Sequence, residues 1–379
     1  MRSKKFIVLV VVVILLLLSQ APFAYRRYKL RRLSANIQQL NSRRHAPEPS
    51  GFRDYKGVVH VHSFLGGHSS GTFGEIISAA RANELQFAVM TEHTEKDFDT
   101  AGMTLKGMHG GVLFVNGNEV SAANGDRFLT LPENIKIAAY PEDFKNWETP
   151  DLSGVEVYNV FTNAKRISPV VAFFDALWSH RAYPDLMFAF YLARPDQELR
   201  KWDQALTRTR LTALAGNDAH ANIGVSLNDS SGKTLLGIQL DPYATSFRLV
   251  RMHALIANNV ALDEASLLDA LRAGHCFIGF DFLGDSSGFS FSATNGQDRR
   301  IQGDEISLKP DTRLHVETSV PSRVVLLRNG TVFTMESDVT SKDFPISEPG
   351  VYRAEVYLPQ LGPLVEDQPW IISNPIYVR

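Results

Sequence analysis

The 379-residue chain holds one cysteine, Cys276. A single thiol can build neither an internal disulfide framework nor a cysteine-rich zinc ribbon. Net charge is also scarce, at −2. The near balance hides a division. Residues 1–50 carry ten Lys/Arg against one acid, Glu48, which leaves 29 against 40, or −11, for the remainder. A body this acidic is a poor match for duplex nucleic acid, and none is expected as a partner. An anionic small molecule would need locally placed positive charge, such as metal ions. Apolar mass, by contrast, is plentiful. At 44% hydrophobic and 21% charged, the chain is neither disordered nor collagen-like, and it is long enough for two or three domains with a full core.

Charge is absent altogether between Phe6 and Tyr25, FIVLVVVVILLLLSQAPFAY. Twenty helical residues at ~1.5 Å each span a ~30 Å hydrocarbon core. Arg2, Lys4 and Lys5 precede the run, as in a signal peptide or signal anchor. A cut before Tyr25 would place Pro22 where a small residue is needed, so an uncleaved anchor is expected. The membrane is thus a partner through Phe6–Tyr25. The short basic N-tail argues for a body outside the cytoplasm, in the periplasm. Five basic residues just after the span (Arg26, Arg27, Lys29, Arg31 and Arg32) argue for the reverse orientation. The stretch Arg26–Arg44 is expected to sit on anionic headgroups. Pro47, Pro49 and Gly51 read as a linker.

From Val58 onward, short apolar runs alternate with helical patterns. Strands are expected at Val58–Val61, Phe87–Thr91, Val112–Asn116, Ile135–Tyr140, Val155–Tyr158 and Leu211–Ala215. Thr72 and Glu75 form a capping-box signature before the apolar face Ile76, Ile77, Ala80 and Leu85. Pro195–Thr207 reads as a helix with Pro in its first turn. Glu264–Ala273 reads as a helix stopped at Gly274, followed by a strand at Cys276–Phe280. This alternation predicts an α/β fold with a parallel sheet or barrel. After Gly284 the pattern becomes all-β: Phe289–Ala293, Leu314–Thr318, Val324–Leu327 before the turn Asn329-Gly330, Val351–Tyr357 and Ile371–Val378. A small sandwich is expected there. The division is therefore 1–50 anchor and basic linker, 51–284 α/β barrel, and 285–379 C-terminal β-sandwich.

The chemistry-bearing residues collect at strand ends. His60-Val61-His62 ends the first strand. Alternate strand residues point the same way, which predicts two imidazoles on one side, a metal-ligand arrangement. His68 follows in a Gly-rich loop, His93 ends FAVMTEH, Glu119 ends VLFVNGNE, and Asp218 and His220 end LTALAGNDAH. In α/β barrels the C-terminal ends of the strands are where catalytic groups gather. Lesser candidates are Glu92, Glu156 and Asn159, each at a strand end. Arg127, Lys165, Arg166 and Arg181 could hold a phosphate, and His180 could donate a proton. His253, His275 and Cys276 stand in no motif and read as structural.

The order HVHS, TEH, GNEVS and GNDAH over residues 55–285 resembles the PHP (polymerase and histidinol phosphatase) superfamily of metal-dependent hydrolases, mostly phosphoesterases. The tail, with its closing PWIISNPIYVR, resembles the carbaryl-hydrolase-like (CehA/McbA) branch. The resemblance implies a distorted (β/α)7 barrel. It implies one metal site of His60, His62, Glu119 and Asp218, with Glu119 bridging and a metal-bound water as the attacking group. A second site would hold His93 and His220, with His68 at the position where the family usually has Asp. Two divalent ions are expected, zinc, manganese or iron. Where the family has two further histidines, this chain has Asp126 and Tyr140, so a third ion is not expected. Asp126 and Tyr140 are expected to contact substrate or ligands, and Glu92 to orient a ligand histidine. The implied function is metal-dependent hydrolysis, most simply of a small phosphoester. The alternatives are a carbamate or carboxylic ester hydrolase, and a membrane-anchored metal-binding protein without catalysis.

Overall fold

The computed structural model describes residues 2–46, 50–141, 144, 147, 151–165, 168–222, 224–228, 234–296 and 298–379. Pro47, Pro49 and Arg166 lie outside the described residues. So does the side chain of Lys165.

The chain opens with one helix, α1 (Arg2–Asn41), 40 residues long with Pro22 inside it. It is the one helix among the described residues long and apolar enough to cross a membrane, by length and composition. Its two halves behave differently. Every residue from Lys4 to Leu18 is exposed. Beyond the apolar run, Leu30, Leu33 and Leu40 are buried in the main core, with Ile37 packed beside them. The 3-4-3 spacing of these four residues is one face of a helix. This changes the expected role of the basic stretch. Arg26 donates two hydrogen bonds to Asp175, at 2.7 and 2.5 Å, and its guanidinium lies 3.7 Å from the Phe190 ring centre. Arg27 donates to the Trp178 carbonyl, and Arg44 donates to the carbonyls of Asp285 and Ser287. Arg26, Arg27 and Arg44 are bound to the body rather than left for lipid headgroups. The apolar face between them draws the helix against the protein.

The body is mixed α/β, with its strands in two main sheets. β1 (Phe52–Val61) starts six residues earlier than the apolar run suggests, because FRDYKG pairs with strand Arg251–Ala257 inside the sheet. Next come helix α2 (Phe73–Ala82), with the Thr72/Glu75 capping box formed, and β2 (Phe87–Met90), β3 (Glu92–His93), β4 (Gly107–His109) and β5 (Val112–Val115). β1, β2 and β5 run parallel. The second sheet holds β3, β6 (Asn118–Ser121), β7 (Arg127–Leu131), β8 (Ile135–Ala139), β9 (Gly154–Asn159) and β10 (Thr212–Gly216). Here β6, β7 and β8 form an antiparallel meander, while β8, β9 and β10 run parallel. β7 was not foreseen. The two sheets touch where Asn217 N donates to Val59 O at 2.9 Å and Ala219 N donates to His60 O at 3.2 Å.

The C-terminal strands extend the first sheet. Strand Cys276–Gly279 pairs with Pro369–Ser373, which pairs in turn with Gly350–Tyr357. A cut after Gly284 would therefore sever one hydrogen-bonded sheet. The two expected strands on either side of Pro321 are a single strand, Arg313–Arg328, whose register shifts between Glu317 and Val324. Its partner Thr331–Pro345 is mostly exposed and polar, with no apolar alternation to betray it. The Asn329-Gly330 hairpin turn forms as the dipeptide predicts, with φ of 49° and 79°.

Candidate metal centre

Six of the seven expected ligands meet where the two sheets touch. His60, His62, Glu119, Asp218 and His220 are buried, and His93 is half-buried. The expected strand alternation is not what aims His60 and His62. The β1–β2 register shifts between Val59 and Val61, and His60 is left-handed, with φ of 68°. His62 lies just past the strand, where its N–H donates to Ala219 O at 3.1 Å. Asp218 and Tyr140 are also left-handed, at φ of 47° and 50°. Each such conformation in a non-glycine residue costs on the order of 1 kcal/mol or more. The pairing of β1 with the segment after β10 holds two of them in place. Gly216 is needed beside them, because a methyl group there would land on the Glu156 carboxylate and press on His60 Cβ.

Four donor atoms define the first group. His60 Nε2 lies 3.3 Å from Glu119 Oε2 and 3.5 Å from Asp218 Oδ1, and His62 Nε2 lies 3.5 and 3.4 Å from the same two oxygens. Two ligands at ~2.1 Å from a tetrahedral ion stand ~3.4 Å apart. Both ring nitrogens of His62, and Asp218 Oδ1, are buried without a hydrogen-bond partner. Buried polar atoms are normally satisfied, and a cation at the centre of these four atoms would satisfy Asp218 Oδ1 and one nitrogen of His62. The residues fit a divalent metal.

The second group is His62, His93 and His220, with one donor nitrogen of each within 4.8 Å of the others. His93 Nδ1 also lies 3.4 Å from Glu119 Oε2, so that one oxygen faces both groups. His220 Nδ1 donates to the Asp218 carbonyl at 2.9 Å, which turns Nε2 outward as the free lone pair. His68 is exposed and stands outside these groups. Its ring is edge-on to His93, centre to centre at 5.0 Å.

Surrounding groups fix the ligands. Glu156 Oε1 accepts from His60 Nδ1 at 2.6 Å, so His60 presents Nε2 to the cluster. Asn159 donates to Glu156 Oε2 at 3.0 Å and to Asp218 Oδ2 at 3.3 Å. Tyr140 donates its hydroxyl to Asp218 Oδ2 at 2.5 Å. Arg127 donates to Glu119 Oε1 at 2.9 Å. Asp126 is bound into its own turn by Asn124, which donates to Oδ2 at 2.7 Å. Glu92 departs from the expected role. Its carboxylate accepts from Ser63 N, Ser63 Oγ and Thr104 Oγ1, at 2.9, 2.7 and 2.6 Å, and so pins the turn after His62 rather than a histidine ring. His180 and Arg181 belong to the segment beside α1 and to neither ligand group.

The electrostatics suit a cation. Burial disfavours the charge on Asp218, yet the imidazoles of His60, His62 and His220 hold it well below the usual carboxylate range. Glu119 is likewise held down to about 2 by His60 and His62, against its burial. Burial and the neighbouring imidazoles lower His62 to about 3, so its ring stays neutral, with a lone pair to offer.

One further constellation resembles a catalytic row. Ser286 Oγ lies 2.9 Å from His253 Nε2, and His253 Nδ1 lies 2.8 Å from Asp54 Oδ1. It is structural. Burial opposes charge on His253, but Asp54 and Asp281 push its pKa up to about 10, so the ring is protonated and cannot act as a base. Ser286 is fully buried and donates to Asp281 at 2.6 Å. Cys276 is also buried, and its sulfur accepts from Asn374.

The fold and site define a mixed α/β protein with an N-terminal apolar helix and a buried histidine–carboxylate cluster. No family model matches the chain, and no curated protein does. Among solved structures, it is similar to a two-domain protein containing a predicted PHP-like metal-dependent phosphoesterase from Bacteroides vulgatus ATCC 8482. The match covers 88% of this chain and 98% of that one, at 13% identity and a TM-score of 0.38. A similarity that low carries no conclusion about this chain.

Proposed function

We propose that the chain is a membrane-anchored, metal-dependent hydrolase of the PHP kind, acting on a phosphoester, with β1–β10 as a distorted barrel around the cluster and the C-terminal strands as a companion sandwich. The observation that carries this is the set of four buried donor atoms, in which the His60 and His62 Nε2 atoms each stand 3.3–3.5 Å from both carboxylate oxygens and two of the four, His62 Nε2 and Asp218 Oδ1, lack hydrogen bonds. A divalent ion held by His60, His62, Glu119 and Asp218, with a second by His93, His220 and His68, would supply activated water near neutral pH and electrostatic stabilisation of the attacked group. The chain's own residues do the rest. Glu156 fixes the His60 tautomer, and Tyr140 and Asn159 fix the Asp218 carboxylate. Arg127 keeps its side chain 46% exposed while one guanidinium nitrogen holds Glu119, which leaves its other donors for an anionic oxygen of the substrate. That positive group favours a phosphoester over a neutral carbamate or carboxylic ester.

The test is a rate screen of the full chain, loaded with zinc, manganese or iron, against p-nitrophenyl phosphate, bis-p-nitrophenyl phosphate and p-nitrophenyl acetate. Turnover of a phosphate ester supports the proposal. Turnover of the acetate alone selects the carboxylic ester alternative, and no turnover of any of them selects a non-catalytic metal protein. We further propose that the body lies outside the cytoplasm. Alkaline phosphatase fused at the C-terminus should be active, and a silent fusion with a bright cytoplasmic GFP counterpart would reverse the orientation.

A further inference from the structure

One helical segment of the body is amphipathic in the wrong sense for water. Helix Pro169–Asp175 continues into the turn Ala176–His180. Its buried face carries Ala172, Asp175, Ala176 and Ser179. Its outer face carries Val170 and Leu177, which are 65% and 57% exposed, with Phe173, Phe174 and Trp178 half-buried between them. Apolar residues at i, i+3/i+4 and i+7 facing solvent, with a carboxylate and a hydroxyl facing in, need a covering surface.

The contacts of this segment say what covers it. Phe174 stacks on Phe23, ring centres 5.0 Å apart. Trp178 Nε1 donates to Gln20 Oε1 at 3.0 Å, and Asp175 takes Arg26 in a two-point ion pair. Gln20, Phe23 and Arg26 span ~9 Å of helix axis at ~1.5 Å per residue. That interval begins two residues after the unbroken apolar run ends at Leu18 and finishes at Arg26, the first charge after that run. If α1 crosses a bilayer over Phe6–Tyr25, this interval is its interfacial end, and the segment is held at that depth. Tyr25 and Tyr28, exposed on the neighbouring turns of α1, add amphipathic aromatic rings at the same level. The ion pair neutralises Arg26, and the Trp178 carbonyl takes Arg27, so the first two charges after the apolar run are held by this segment.

We propose that Pro169–His180 is an interfacial membrane contact. Its Val170/Leu177 face lies in the headgroup and upper acyl layer, and with α1 it seats the body against the bilayer at a fixed angle instead of on a loose tether. The proposal rests on the membrane reading of Phe6–Tyr25 and is independent of the metal chemistry.

The test uses the full chain in vesicles of phosphatidylcholine with a minority of phosphatidylglycerol. Nitroxide labels are attached in turn at Val170→Cys, Leu177→Cys, Val12→Cys within the apolar run, and Val332→Cys on the exposed tail hairpin. Cys276 is buried and stays unlabelled. The ratio of oxygen to nickel-chelate accessibility reads depth. The expected result is Val12 deepest, Val170 and Leu177 at intermediate depth, and Val332 fully aqueous. Val170 and Leu177 labels as aqueous as Val332, with Val12 deep, would overturn the interfacial contact alone. An aqueous Val12 would overturn the membrane reading and the proposal together.

Discussion

Glu156 Oε1 and His60 Nδ1 lie 2.6 Å apart across 96 residues of sequence, both fully buried. This contact decides which nitrogen of His60 faces the cluster. It also leaves Glu156 raised by its burial, against the pull of His60 and Asn159. A carboxylate behind a ligand imidazole fixes ring and tautomer and typically contributes 10–100-fold in metal affinity. Glu156→Ala is therefore expected to weaken metal binding by about 10–100-fold in competition with a chromophoric chelator. An unchanged affinity would mean that His60 is oriented by other contacts.

The proposed second ion would take His68 as its third ligand, although the ring stands outside the ligand groups. Its ring meets only His93 among the cluster imidazoles, at a 5.0 Å centre distance. His68→Ala should lose about one ion per chain by elemental analysis, with the four-donor group still filled, and His68→Asp should restore it. Full metal content in His68→Ala would show that His62, His93 and His220 suffice.

The second half of α1 is part of the folded body. A chain of residues 20–379 should melt well above one of residues 51–379, because the shorter chain loses buried Leu30, Leu33 and Leu40 and the Arg26–Asp175 pair. Leu33→Ala in the full chain should cost about 2–5 kcal/mol in denaturant unfolding, as for other buried leucines. Equal melting temperatures of the two chains would mean that the helix rests on the body without stabilising it.

His253 gives a pH signature. Its folded pKa is raised from 6.5 to about 10 by Asp54 and Asp281, despite burial. A raised pKa means that the folded state holds the proton more tightly. The stability this contributes is complete below pH 6.5 and is lost as pH climbs towards 10. The gap in melting temperature between the parent chain and His253→Gln should shrink across that window. A gap that stays constant would place the effect of His253 in its stacking on Phe277, ring centres 4.5 Å apart, instead.

Much of this arrangement was legible in the sequence because strand ends and ligand-type residues coincide. His60, His62, His93, Glu119, Asp218 and His220 all follow apolar runs, and the structure brings them together. The reason for His60 was not legible. Period-two alternation predicts two imidazoles on one face, whereas a register shift and a left-handed residue aim them. Such conformations are set by contacts with β2 and the segment after β10, which no local pattern records. Glu156 reads only as a lesser candidate at a strand end, because a carboxylate ending a strand has no signature for the ring it will hold. β7 and Thr331–Pro345 were missed for want of strong apolar alternation. The basic stretch after Tyr25 reads as a lipid-facing segment because its charges are visible in sequence, whereas Asp175, the partner of Arg26 149 residues on, and the carbonyls that take Arg27 and Arg44 are not.

The most direct test of the central claim is a metal titration of the apo full chain, following the rate of bis-p-nitrophenyl phosphate hydrolysis against ions bound per chain. The account predicts a rate that rises with bound metal, saturates at about two ions, and is lost together with metal in Asp218→Ala. A chain that binds no transition metal, or one saturated with metal and inert towards phosphate esters, would contradict it.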